Sequence, residues 1–128
     1  MEGQLVGRIP PHSMEAEQSV LGAMLLQSDA INTAIEILRG TDFYREAHAK
    51  IFDAIIRLYN RGEPVDMILL GEELKQANLL EAVGGISYIA HLSTVVLSAA
   101  NIEHYCTIVK EKSTLRQLIK GSDQILSE

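Results

Sequence analysis

A chain of 128 residues with a net charge of −6, 47% hydrophobic residues and one cysteine has room for a single domain. At this length roughly two-thirds of the unfolded surface is buried on folding, so neither a metal nor a disulfide is needed for stability. Seven Lys/Arg stand against thirteen Asp/Glu in residues 1–100, and four of each fill residues 101–128; no basic stripe is available to neutralise phosphates, and no direct nucleic-acid grip is expected.

Two Phe, four Tyr and no Trp leave the core to Leu, Ile, Val and Ala, which suits packed helices. Residues 1–12 lack periodicity and contain Pro10-Pro11, and are expected to form a flexible arm. Ser13 is placed to cap a first helix ending near Leu26. Glu15 and Glu17 lie near its positive end, and Ala16, Val20, Leu21, Ala23 and Met24 follow helical spacing. Ser28 or Asp29 is expected to cap a second helix, with Ile31, Ala34, Ile35 and Leu38 on one face and Gly40 at its end. The third helix, about Arg45 to Arg61, carries the stripe Ala47, Ile51, Ala54, Ile55 and Leu58, widened by Phe52 and Tyr59. Gly62 and Pro64 stop it.

Asp66 is suited to cap a shorter fourth helix bearing Leu70 and Leu74. Asn78 to Gly85 reads as a loop, and Gly85 to about Ser93 as a fifth helix with Ile86, Ile89 and Leu92 on one side. Val95-Val96-Leu97 connects to a last helix that begins near Ser98 to Asn101 and runs to about Leu126. That helix carries more apolar surface than one buried stripe uses. Tyr105, Ile108, Leu115, Ile119 and Leu126 form one line, widened by Ile102, Cys106, Val109, Leu118 and Ile125. A helix with two apolar faces calls for a second partner. No cap follows Leu126, so the helix is expected to continue in a longer chain. Together these features predict an all-α, compact bundle of about six helices: an arm at 1–12, a globular part at 13–97 and the last helix from 98 to 128.

Catalytic chemistry is not expected. The chain has no G-x-x-x-x-G-K-[ST] phosphate loop and no G-x-G-x-x-G, and Gly84-Gly85 reads as a turn before a helix. His12, His48, His91 and His104 lack metal-ligand spacing, so no metal is expected. His48 is expected at the edge of the third helix, bonded to a nearby backbone group. The adjacent pair Glu72-Glu73 diverges on a helix and reads as a solvated face. Cys106 lies among apolar neighbours, where burial raises a thiol pKa. A lone thiol fits a reducing, cytoplasmic setting. No run reaches the ~18 apolar residues of a membrane helix, and Met1-Glu2-Gly3-Gln4 does not open a signal peptide.

An ordered set of segments is similar to the DnaB family of bacterial replicative helicases, in its N-terminal domain. The set is Ile9-Pro10-Pro11, Glu15-Ala16-Glu17-Gln18 with Val20-Leu21-Gly22, and Asp42-Phe43-Tyr44 with Ala47-His48 and Ile51-Phe52. It continues with Gly62-Glu63-Pro64-Val65-Asp66, Gly84-Gly85 with Tyr88, and Ala99-Ala100-Asn101-Ile102 with Tyr105, Val109, Glu111-Lys112 and Leu115-Arg116. The resemblance implies a collar domain that pairs with itself, as a trimer of dimers in a hexamer, and docks the primase C-terminal domain and a helicase loader. ATP and Mg would belong to a motor domain outside this sequence, so no cofactor is expected here. It further implies that the last helix opens a helical hairpin, and that Glu15, Tyr88, Ile119 and Ile125 face primase or support the hairpin. Leu69 and Leu97 depart from the family pattern, where Thr and Pro are common; Asp66 is then needed as the fourth helix's cap. The competing reading is a small helical DNA-binding domain, with the third helix and its Arg57 and Arg61 as reader.

Overall fold

In a computed structural model, which describes residues 9–127 and side chains as far as Gly121, the described residues form six α-helices and one 3-10 turn. They are α1 (Met14–Leu26), α2 (Ser28–Ile37), the 3-10 turn (Gly40–Asp42), α3 (Glu46–Asn60), α4 (Met67–Gln76), α5 (Gly85–Leu92) and α6 (Ile102–Ser127). There is no strand among the described residues, and none of the described helices is long and apolar enough to cross a membrane. The predicted arm falls mainly in residues 1–8, outside the described residues.

Two caps read from the sequence form as expected. Ser13 Oγ accepts the Ala16 amide at 3.1 Å, and Asp66 Oδ1 accepts the Leu69 amide at 2.8 Å. Asp66 therefore supplies the cap that a Thr at position 69 would otherwise give. Helix α3 stops as its Gly62 predicts: with φ at +75°, the Gly62 amide reaches Tyr59 O and the Glu63 amide reaches Leu58 O, satisfying two terminal carbonyls.

Other boundaries differ. The N-cap of α2 is Gln27, without a side-chain hydrogen bond, and not Ser28 or Asp29. An extended Gln27 makes the corner between α1 and α2, and its carbonyl accepts the Ala30 amide. Helix α2 ends at Ile37 rather than Gly40, because Leu38 turns extended and enters the core at 1% exposure. Gly40 instead opens the 3-10 turn. On α5, Ile89 and Leu92 are buried but Ile86 is half-exposed. The last helix starts at Ile102, after a connector in which Leu97 lies fully in solvent.

Helix α1 is central: it packs on α2, α3, α5 and α6. Its Val20, Leu21, Ala23 and Met24 join Ile31, Leu38, Ile51, Phe52, Ile55, Leu58, Leu70, Leu74, Ile89 and Leu92 in one core. Close approach is needed at Gly22, where an added Cβ would lie 2.6 Å from the Leu92 carbonyl oxygen and 2.7 Å from Val95 Cγ2. Cys106 is fully buried, and burial pushes its thiol up to about 12, as the apolar surroundings predict.

The 3-10 turn is bound to α6 through a second buried group, Asp42, at 2% exposure. Its carboxylate accepts the Arg39 amide at 2.7 Å, the Ser113 hydroxyl at 2.7 Å and the Lys110 ammonium at 3.3 Å. Burial alone raises the Asp42 pKa. The Arg39 amide, Ser113 and Lys110 outweigh it and hold the carboxyl below its ordinary value of 3.8.

Two predictions follow from this packing. Gly22→Ala should lower stability by about 1–3 kcal/mol, because the new methyl meets backbone that cannot yield. Urea unfolding should show a lower midpoint at unchanged slope; an unchanged midpoint would show that the α1–α5 contact is slack. The stabilisation from ionised Asp42 is complete above the unfolded aspartate pKa and is lost as pH falls below it, since the folded pKa is the lower one. Asp42→Asn should therefore flatten the stability loss below about pH 4 relative to the parent chain. Parallel acid limbs in pH-dependent unfolding would refute this.

Candidate protein-docking surface

Glu15 lies exposed in the first turn of α1, whereas Glu17, two residues on, is 1% exposed in the core. A carboxylate so placed must be fully bonded. Glu17 Oε2 accepts the Tyr44 amide at 2.6 Å and Oε1 the Arg45 amide at 3.4 Å, so this side chain satisfies the start of α3, whose own N-cap Arg45 provides no side-chain bond. An acidic group at that end also opposes the helix dipole favourably.

Glu17 Oε1 further accepts from His48 Nδ1 at 2.7 Å, and His48 Nε2 is 2.6 Å from the Tyr88 hydroxyl, which itself accepts from Gln18 Nε2 at 3.2 Å. With a proton placed on His48 Nδ1 and none on Nε2, the bonds run in one direction. Gln18 donates to Tyr88, Tyr88 donates to His48, and His48 donates to Glu17. His48 is thus fully buried, not at a helix edge, and its partners are side chains 31 and 40 residues away rather than a nearby carbonyl. Sequence reasoning missed Glu17 as a buried anchor. The one available signal was a His on the apolar stripe of α3, which needs a polar partner once it is buried.

Tyr88 is the half-buried end of this network. The Arg45 guanidinium sits 5.4 Å from its ring centroid, and the His91 ring lies 6.0 Å away. Beside it, Ser13, Glu15, Gln18 and Ser19 of the α1 region, His91 and Val95, and His104, Tyr105 and Ile108 of α6 line an open cleft of about 590 Å³. The cleft has no cluster of metal-ligating side chains, in keeping with the described residues as a whole.

Of the four residues singled out by family resemblance, the three whose side chains are described are not one cluster. Glu15 lines the cleft, and Tyr88 meets it through Gln18. Ile119 lies on α6 about 16 Å along the helix from Ile108 of the cleft. The Ile125 side chain lies outside the described residues. Ile119 is 50% exposed, with Leu115 at 44% and Leu118 at 63%. These three make an apolar strip that begins beside the body at Leu115 and continues along the distal part of α6. Next to Leu115, a shallow cleft of about 480 Å³ runs between α2 and α6, lined by Ile37, Thr107, Lys110, Glu111 and Thr114.

The third helix is poorly equipped to read DNA. Its apolar face is buried, and Arg57 and Arg61 are both paired with Glu73, at 2.8 and 2.6 Å. Arg61 first and Arg57 second hold the Glu73 carboxyl below its usual range. Glu72 is exposed, as expected of a solvated face, whereas Glu73 is the hub of this ion-pair group.

This helical body is similar to known proteins. Residues 9–111 match the family model described as DnaB-like helicase N terminal domain. The replicative DNA helicase DnaB of Geobacillus stearothermophilus is 50% identical over 121 residues, covering 94% of this chain but 27% of that protein, so the chain spans about a quarter of its relative's length. The crystal structure of the N-terminal domain of DnaB helicase from Mycobacterium tuberculosis superposes with a TM-score of 0.90 at 45% identity, covering 93% of this chain and 86% of that one. The N-terminal domain of DnaB helicase from Helicobacter pylori, a structure described with its interactions with primase, shares the fold at a TM-score of 0.71 and 21% identity, covering 88% of each chain. On the family model and on this identity, the chain belongs to the DnaB-like helicase N-terminal domain family.

Proposed function

We propose that this chain is the collar domain of a hexameric replicative DNA helicase in the cytoplasm, serving ring assembly and partner docking rather than chemistry. The observation that carries this reading is the apolar strip Leu115, Leu118 and Ile119, exposed on a helix that projects past the body of a DnaB-type domain. Soluble proteins cover such strips with a partner. Two copies pair along α6, and three pairs complete the collar of the parent hexamer. ATP, Mg and the unwinding of DNA belong to the parent's motor domain, and the fragment itself hydrolyses nothing.

The second role is the docking of primase through its C-terminal domain, with a helicase loader as a further partner. The Helicobacter pylori relative, described with primase, supports this. Glu15 offers an exposed carboxylate at the mouth of the cleft, Tyr88 a ring held by its buried hydroxyl bond, and Ile119 and Ile125 the apolar contact or its support.

Replacing Ile119 and Ile125 together with Ala should weaken capture of the cognate primase C-terminal domain by about 1–2 kcal/mol, roughly five- to thirtyfold in Kd. Titration calorimetry on the chain measures this, with the thermal midpoint as a control for folding. Equal affinity in the double variant would remove both residues from the docking surface. If the chain instead bound duplex DNA tightly at physiological salt, the collar reading would fail in favour of a DNA-binding module.

A further inference from the structure

The inward stripe of α6 changes character along its length. Ile102, Cys106 and Val109 are buried apolar residues at spacings of four and three. The next two positions of the same stripe are Ser113, buried, and Arg116, half-buried. Beyond them Gln117, Leu118, Ile119 and Lys120 are all exposed. Among the described side chains Arg116 is the last that bonds α6 to the body, and the helix runs on for about 16 Å through residues 117–127.

The attachment at that point is polar and directional. Arg116 Nη2 donates to the Asp42 carbonyl at 2.6 Å, and Nη1 donates to the Pro11 carbonyl at 2.8 Å. One guanidinium thus joins the end of the 3-10 turn to the segment entering α1. It also sits 5.5 Å from the Tyr44 ring centroid, and His12 stacks on that ring at 4.1 Å. One turn earlier, Ser113 and Lys110 hold the carboxylate of the same Asp42. Apolar contacts tolerate sliding, whereas a planar fork with two fixed acceptors sets direction. Direction matters here, because a swing of about 10° at Arg116 moves the far end by about 3 Å, half the pitch of a helical turn.

We infer that Arg116, with Asp42 and Ser113, forms a joint that sets the direction in which α6 leaves the body. Arg116 is thereby a positioning residue for the pairing of two copies along that helix. The inference rests on the pairing proposed above. It assigns to Arg116 no contact with the second copy: its fork is occupied by the Pro11 and Asp42 carbonyls of its own chain.

The test compares the parent chain with Arg116→Ala and Arg116→Lys. Amide residual dipolar couplings, taken at dilution, report whether residues 117–127 share the alignment of α1–α5. Sedimentation equilibrium reports pairing, and urea unfolding reports the integrity of the body. In Arg116→Ala the distal couplings should depart from the body's alignment and pairing should weaken about tenfold, while the unfolding midpoint stays close to the parent's. Lys at 116, with its charge but no fork, should restore pairing only in part. Distal couplings that still fit the body's alignment in Arg116→Ala would overturn the joint. Released couplings with undiminished pairing would overturn its positioning role. A parent chain that never pairs would remove the collar reading, and the couplings would still decide whether the joint holds the helix.

Discussion

Glu17 places a carboxylate in the middle of a core made of Leu, Ile, Ala and Phe, where an unpaired charge would cost several kcal/mol. Its partners come from three other places: the amides of Tyr44 and Arg45, the imidazole of His48 on α3 and, through it, the Tyr88 hydroxyl on α5. All of them must arrive together, because a partly bonded network is worse than an apolar one. No buried side-chain polar atom is left without a partner among the described residues. The rotation of α3 about its axis, the path of the chain into it and the seating of α5 on α1 are therefore fixed by one acid. Apolar burial supplies the stability, but it would tolerate several neighbouring arrangements.

The four residues 42–45 are where two such acids meet. Asp42 turns its carboxylate to Ser113 and Lys110, its carbonyl accepts from Arg116, Phe43 packs into the core, and the next two amides go to Glu17. One short segment thus binds the last helix on one side and the first on the other. The helix that carries Glu15 and the helix that carries Ile119 are thus bonded to the same four residues.

The helical plan was legible because its signals are local. Ser13, Asp66 and Gly62 act within three or four residues of themselves, and the stripes on α3 and α6 repeat at fixed spacing. The α1–α2 corner was not, since Gln27 does its work with backbone alone, and neither was the 3-10 turn, whose stability depends on Asp42 meeting a helix some 70 residues later. Glu17 and Glu15 look alike in sequence, two acids near a helix start. Only the burial of His48 and the arrival of Tyr44 separate the structural acid from the exposed one. The candidate docking residues came from family resemblance, and the residues alone gave only the surplus apolar surface of the last helix. That surplus is visible at Leu115, Leu118 and Ile119.

The surplus is best understood through the order of residues along α6. A helix that merely ended in solvent would lose its apolar residues and its inward stripe together. Here the inward stripe turns polar at Ser113 and Arg116 while Leu115, Leu118 and Ile119 appear on another face, so apolar character changes sides where the helix leaves the body. The body covers the first half of the helix, and the apolar residues of its second half are left exposed. The polar residues at the changeover hold the direction of the exit. The Arg116 fork fixes two carbonyl acceptors at once, which no apolar side chain can do.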